Sequence, residues 1–319
     1  MLFTQIISTV AGMICLLIDS IMIGRFLGVD AISAYGYASP VLLIFSAIST
    51  MIGSGSQVLC ARTMGVGDRN GTNRYFTAAV TASLVISITG IAVVFVFSNP
   101  LCTLLGAGVN TADHSVFTST RHYLRGFVLG APALMLQQIM VPYMQMAGNR
   151  KRLLTAVSAM SIADILLDLL NVFVFRLGMF GMGLASALSL YIAALFVVPF
   201  FLKKDCIFKF GKTLPGKAVF LSLFKEGAPV LVNQVCLVLL PLVRNNLLTY
   251  HGGFVAVAAY SVISSVGSTL FSIGSAVSSV SLTLSSMFHA DRDKISLKET
   301  MKIILTYAIA VYLIIDIII

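Results

Sequence analysis

The chain alternates long apolar runs with short polar interruptions. Runs near the roughly 20 residues that a helix needs to cross a hydrocarbon core recur at about 1–24, 36–60, 76–98, 123–146, 153–175, 182–202, 227–248 and 256–287, and a ninth begins near 301. Helix-breaking clusters stand between them: Gly65-Val66-Gly67-Asp68, Asn99-Pro100, Gly148-Asn149-Arg150 and the glycines from Gly178 to Gly183. Barrel strands lack such long apolar segments, so the pattern predicts an all-α polytopic membrane protein.

Composition strengthens this expectation. At 58% hydrophobic and 10% charged residues, with a mean hydropathy of +0.98, the chain has too little polar surface for a water-soluble domain. The net charge of +9 does not point to nucleic acid, because the basic residues fall between apolar runs and form no patch with interleaved aromatics. Their placement speaks to orientation instead. Sixteen of the 21 Lys and Arg residues lie at even-numbered connections, and the other five are Arg25, Arg121, Arg125, Arg176 and Arg244. The positive-inside rule then puts the N-terminus and the even loops in the cytoplasm, in a multi-pass protein of a bacterial cytoplasmic (inner) membrane. Lys203 to Lys225 reads as a cytoplasmic linker, and the sequon Asn70-Gly71-Thr72 falls on the same side and is inert. The first run has no basic n-region or cleavage site, so it reads as a retained helix. The five cysteines and four histidines show no metal-type spacing, which predicts no metal site.

Laid over itself with an offset of 225 residues, the chain matches Ala31, Tyr35, Ser39, Ser54, Ser56 and Asp68 to Ala256, Tyr260, Ser264, Ser279, Ser281 and Asp293. Six spans separate the copies, so both run the same way through the membrane, as parallel repeats. The expected domains are a six-helix lobe at 1–202, a linker at 203–226 and an incomplete second lobe at 227–319 holding helices seven, eight and part of nine. A full second copy would extend past the last residue, Ile319, so the pattern predicts a truncated chain.

Ionisable groups inside a bilayer are costly and are functional candidates by default. Asp19 lies toward the outer end of the first span. Asp164 and Asp168 share one face of the fifth, and Asn171 continues that stripe. At the helical rise per residue, Asp164 lies roughly 16 Å and Asp168 roughly 22 Å from the cytoplasmic edge, and Ser186 starts the sixth span at similar height. Carboxylates crowded into low dielectric repel one another when all are ionised, so such a cluster favours uptake of a proton or a hard monovalent cation.

These residues carry a family resemblance. The stretch Asp19 to Gly28, the entry Ala31 to Pro40, Gly53-Ser54-Gly55-Ser56 through Arg62 to Asp68, Leu105-Gly106-Ala107, the Ala147 to Arg150 turn, Asp164 to Asp168 and Gly178 to Ser186 follow in an order that resembles the multidrug and toxic compound extrusion (MATE) transporters. The resemblance implies two six-helix lobes, of which about three helices are absent here. It also implies an antiporter that exports small organic cations against H+ or Na+, with no enzymatic activity and no cofactor beyond the coupling cation. A complete chain would act as a monomer in membrane lipid, without nucleic acid. Members with a first-lobe cation site use an Asp, an Asn-x-x-x-Asp pair and a Thr, which fall on Asp19, Asp164, Asp168 and Ser186. Asp164 replaces Asn and Ser186 replaces Thr, and the extra acid shifts the expectation from sodium toward protons. Arg244 stands where the repeat places Asp19, so coupling is expected in one lobe.

Tyr35, Tyr37, Gln137, Gln138, Asn171, Asn233 and Gln234 are candidates for the substrate cavity, joined by the aromatic residues Tyr123, Phe127, Tyr143 and Tyr260 and by Met135, through cation-π, dispersion and hydrogen-bond contacts. Other readings stay open. Asp19 could snorkel to the outer interface beside Arg25, and the amides could serve interhelical hydrogen bonding. A lipid flippase of the same superfamily would need several cations in its cavity. An intramembrane prenyltransferase would use Asp-x-x-x-Asp for magnesium but needs a second acidic motif that the chain lacks. A non-functional fragment of a transporter is the third alternative.

Overall fold

The structure, a computed structural model, describes residues 15, 18–19, 21–65, 67–105, 107, 114–146, 149–203, 206, 208–211, 215–236, 239, 295, 298–306 and 308–309. The chain divides into two compact units, one of Ile14–Val238 and one of Met1–Met13 with Leu239–Ile319. In the latter, a helical stretch covers 298–306 and buries Ile304. The second copy of the sequence repeat, with Tyr260, and also Arg244, lie outside the described residues.

Among the described residues all regular structure is helical. In the larger unit α1 is helical at 15, 18–19 and 21–27, its end being a π turn at Ile23–Leu27. There follow α2 (Val29–Gly65), α3 (Arg69–Val96), a short α4 (Ser98–Leu104), α5 (His114–Val128), α6 (Ala131–Met146), α7 (Arg150–Leu170) with a π turn at Asn171–Phe175, and α8 (Gly178–Phe201). A ninth helix, α9, covers 217–236. Four stretches are long and apolar enough to cross a membrane, Asp30–Met64, Arg69–Val96, Lys151–Phe175 and Gly178–Phe201. A fifth crossing is available if α5 and α6 count as one span bent by 50°.

That bend departs from the single helix expected at 123–146. Gly130 stands at the break, and Pro132, lacking an N–H, can occupy the first turn of a new helix but cannot continue an old one. A second departure concerns 203–226. The compact unit continues past the expected boundary at 202, because this segment packs onto the preceding helices. Phe208 is fully buried, with its ring 4.8 Å from that of Tyr143 and 5.9 Å from that of Phe76. Lys209 N–H donates to Asn73 Oδ1 at 2.8 Å and Gly211 N–H to Thr77 Oγ1 at 2.6 Å. The helix α9 starts inside the supposed linker and meets α2 at a close crossing of Gly55 with Leu223 and Gly227.

The polarity of α7 is inverted relative to a helix on the surface of a soluble protein. Ile162, Leu166, Leu170 and Phe173, spaced three or four residues apart, are exposed by 42–60%, while Asp164, Asp168 and Asn171 on the other face are buried. An apolar exterior over a polar interior is stable only against hydrocarbon, and here the interior holds the acids.

Helices α5 and α8 pack backbone to backbone. A Cβ at Gly183 would lie 2.5 Å from Tyr123 O and 2.7 Å from Phe127 N, and one at Gly126 would meet Phe180 O and Leu184 N. Glycine permits this approach, which sets Tyr123 of α5 against the α7–α8 pair.

Candidate functional site

Three acids meet in the larger unit. The Asp19 carboxyl of α1 adjoins that of Asp168 of α7, and Asp164, one turn earlier on α7, lies within electrostatic reach of both. All three side chains are buried. Four of their oxygens, Asp19 Oδ1, Asp164 Oδ1 and both of Asp168, have no hydrogen-bond partner among the described residues. Buried acceptors without partners typically cost about 1–3 kcal/mol each and more when charged, so a proton or cation placed among these oxygens would relieve that cost. Ser161 Oγ, also buried and without a hydrogen-bond acceptor or donor at bonding geometry among the described residues, lies beside Cys15 of α1.

The surrounding walls are aromatic and hydroxylic. Tyr35 of α2 and Tyr123 of α5 both lie within electrostatic range of all three aspartates. Their rings meet edge to face at 5.3 Å, and Phe127 stacks on Tyr123 at 6.1 Å. From α8 the hydroxyl beside Asp164 is that of Ser189, which donates to Ser186 O at 2.9 Å. Ser186, the residue expected from the sequence, turns its hydroxyl to Met182 O of its own helix at 3.3 Å. Side chains lean toward the N-terminus of their helix, so Asp164 leans away from the α7–α8 turn and Ser189 leans toward it. That offset brings in the serine one turn further along.

The remaining cavity candidates are dispersed. Asn171 is buried as expected for its stripe, but its amide is committed to the α7–α8 turn: Nδ2 donates to Gly178 O at 3.0 Å and Oδ1 accepts from Leu177 N–H at 3.2 Å. The turn needs this peg because Arg176 adopts a left-handed conformation at φ 52°, its N–H bonded to Asn171 O at 2.7 Å. Gln137 Nε2 reaches Met160 Sδ at 3.6 Å. Gln138, Tyr37 and Asn233 are exposed, and Gln234 is half-buried on α9. Met135 is buried and its carbonyl accepts from Ser49 Oγ at 3.3 Å. Tyr143 is buried away from the acids, donating to Cys60 Sγ at 3.3 Å. Among the described residues no group of three or more His, Cys, Asp and Glu side chains converges to hold a metal ion. The three aspartates thus form an acidic cluster without forming a polydentate cage among the described residues.

A bundle of membrane-crossing helices around buried acids defines a polytopic membrane protein, and comparison with known proteins gives the family. The chain belongs to the MatE family, whose model matches residues 2–170. It is 26% identical over 260 residues to the multidrug export protein MepA of Staphylococcus aureus (strain MSSA476), covering 81% of this chain and 56% of that protein. The MepA of Staphylococcus saprophyticus is 26% identical over 233 residues, covering 72% of this chain and 50% of that protein. The chain therefore spans about half the length of these relatives. Its fold matches the crystal structure of MATE in complex with MaD3S at a TM-score of 0.80 and 19% identity, covering 99% of this chain and 70% of that one. It also matches the outward-facing conformation of a multidrug resistance MATE family transporter of the MOP superfamily, at a TM-score of 0.80 and 19% identity, covering 99% of this chain and 68% of that one.

Proposed function

We propose that this chain forms the cation-coupling part of an antiporter that moves small organic cations outward across a bacterial cytoplasmic membrane, with its N-terminus on the cytoplasmic side. Asp19, Asp164 and Asp168 take up the coupling cation. The supporting observation is the set of four buried carboxylate oxygens without partners, drawn from two helices. The side-by-side Asp19 and Asp168 carboxyls favour a proton over sodium. Sequence kinship to multidrug export proteins supports the outward direction and a drug substrate.

The mechanism is alternating access. With the acids unloaded, their charge and the Tyr35–Tyr123 wall favour an organic cation. When a coupling cation neutralises the cluster, that attraction is lost and the repulsion between α1 and α7 is relieved, so the helices repack and substrate leaves on the other side. Coupling and substrate cations must weaken each other's binding by the same factor. Ethidium accumulation tests the proposal, in cells expressing the chain and cells expressing Asp168→Asn at equal membrane levels. Lower dye in the former, rising to the vector level in the variant, is the expected result. Equal efflux by both proteins would remove the acids from the mechanism.

A further inference from the structure

Away from the acids, the larger unit holds a pair of arginines without a counter-charge among the described residues. Arg121 and Arg125 stand four residues apart on one face of α5, two of the few cations that the sequence places opposite the basic side of the membrane. Each guanidinium commits one nitrogen to a neutral oxygen, Arg121 Nη1 to Asn99 Oδ1 at 3.2 Å and Arg125 Nη2 to Ser98 Oγ at 2.8 Å. Both Nε atoms are buried with no acceptor among the described residues. Arg125 also lies over the Phe95 ring, 5.9 Å from its centre. The one ion pair among the described residues, Arg62 with Glu226, lies elsewhere. Asp30, on α2, accepts from Ser115 Oγ at 2.6 Å, and Asp68 from Gly71 N–H at 2.9 Å. Two like charges at this spacing repel, and half-burial removes part of the water that would screen them.

Location indicates the missing partner. Ser98 and Asn99 follow directly on the span Arg69–Val96, so the guanidiniums lie where that helix leaves the hydrocarbon. Around them Val96, Phe97 and Leu104 are exposed by 73%, 55% and 83%, an apolar rim suited to acyl chains. Cys102 is buried within reach of both positive charges and presents no anion of its own. A guanidinium fork matches phosphate oxygens in geometry and charge.

We infer that Arg121 and Arg125 bind the phosphate group of an anionic membrane lipid, whose chains lie along the Val96, Phe97 and Leu104 rim. The lipid neutralises the pair and fixes α4 against α5. This site faces the bilayer and is separate from the acid cluster.

Native mass spectrometry of the full chain, released from detergent micelles holding equal phosphatidylglycerol and phosphatidylcholine, tests the inference. The expected result is one retained phosphatidylglycerol in excess over phosphatidylcholine, its abundance falling roughly tenfold in Arg121→Gln/Arg125→Gln, as loss of charge-assisted hydrogen bonds implies. The Arg121→Lys/Arg125→Lys chain keeps both charges and retains most of the lipid, which separates loss of binding from loss of fold. Retention unchanged in the glutamine variant would overturn the site. Displacement of the lipid by inorganic phosphate alone would overturn the lipid as its source.

Discussion

The close packing of α5 on α8 sets a measurable limit on what Gly183 can become. An alanine there puts its Cβ 2.5 Å from Tyr123 O and 2.7 Å from Phe127 N, whereas carbon contacts are comfortable at about 3.5–4.0 Å. The obstructing atoms are backbone and cannot rotate away, so the helices must part by about 1 Å. Overpacking of this kind costs about 1–3 kcal/mol, which for a unit of this size lowers the melting temperature by about 2–4 °C per kcal/mol. Gly126→Ala demands the same separation from the other side, because its Cβ meets Phe180 O and lies 2.9 Å from Leu184 N. Once the helices have parted for one methyl the second is partly accommodated, so the double variant should lose less than the sum of the singles. A thiol-reactive dye reads the transition in the purified protein, since Cys15, Cys60, Cys102 and Cys206 are buried while Cys236 is exposed and sets the baseline. Unchanged melting of Gly183→Ala, or full additivity in the double variant, would refute the close approach.

Three further outcomes are expected. Asn171→Ala leaves Leu177 N–H and Gly178 O without their side-chain partners and should destabilise the larger unit by about 2–4 kcal/mol in the same thermal assay; a neutral result would free Asn171 for the cavity role expected from sequence. At the α2–α9 crossing, Gly227→Ala drives a methyl into Met51 O and should lower the melting temperature clearly. Arg62→Ala removes an ion pair whose arginine side chain is 63% exposed and should cost less than about 1 kcal/mol. The reverse order would mean that charge, not packing, docks α9. Finally, Ser189→Ala should reduce dye efflux several-fold while Ser186→Ala leaves it near wild type, and equal effects would return the serine role to position 186.

The membrane spans were legible because each must satisfy its own backbone hydrogen bonds, which forces long uninterrupted apolar runs into the sequence. The spacing of Asp164 and Asp168 equally fixed a shared face before any tertiary contact was known. What periodicity could not convey depends on local backbone geometry. Asn171 continues the acidic stripe, yet the π turn at Asn171–Phe175 and the left-handed Arg176 turn its amide into a structural peg. Ser189 rather than Ser186 lies beside Asp164 because side-chain lean displaces neighbours across an antiparallel helix pair, a shift that counting residues from the turn does not include. The lysines between 203 and 225 suggested a cytoplasmic linker; that Phe208 between them docks the segment on Phe76 and Tyr143 was not legible from charge alone.

The most direct test of the central claim is the affinity of purified protein for ethidium, measured by fluorescence anisotropy across pH at fixed sodium and across sodium at fixed pH. If the three aspartates couple coupling cation to substrate, loading them weakens ethidium binding on the order of tenfold, and this dependence disappears in Asp168→Asn. Dependence on pH rather than sodium would assign the coupling cation as a proton. Identical ethidium affinities for wild type and Asp168→Asn at every pH and sodium concentration would contradict the account.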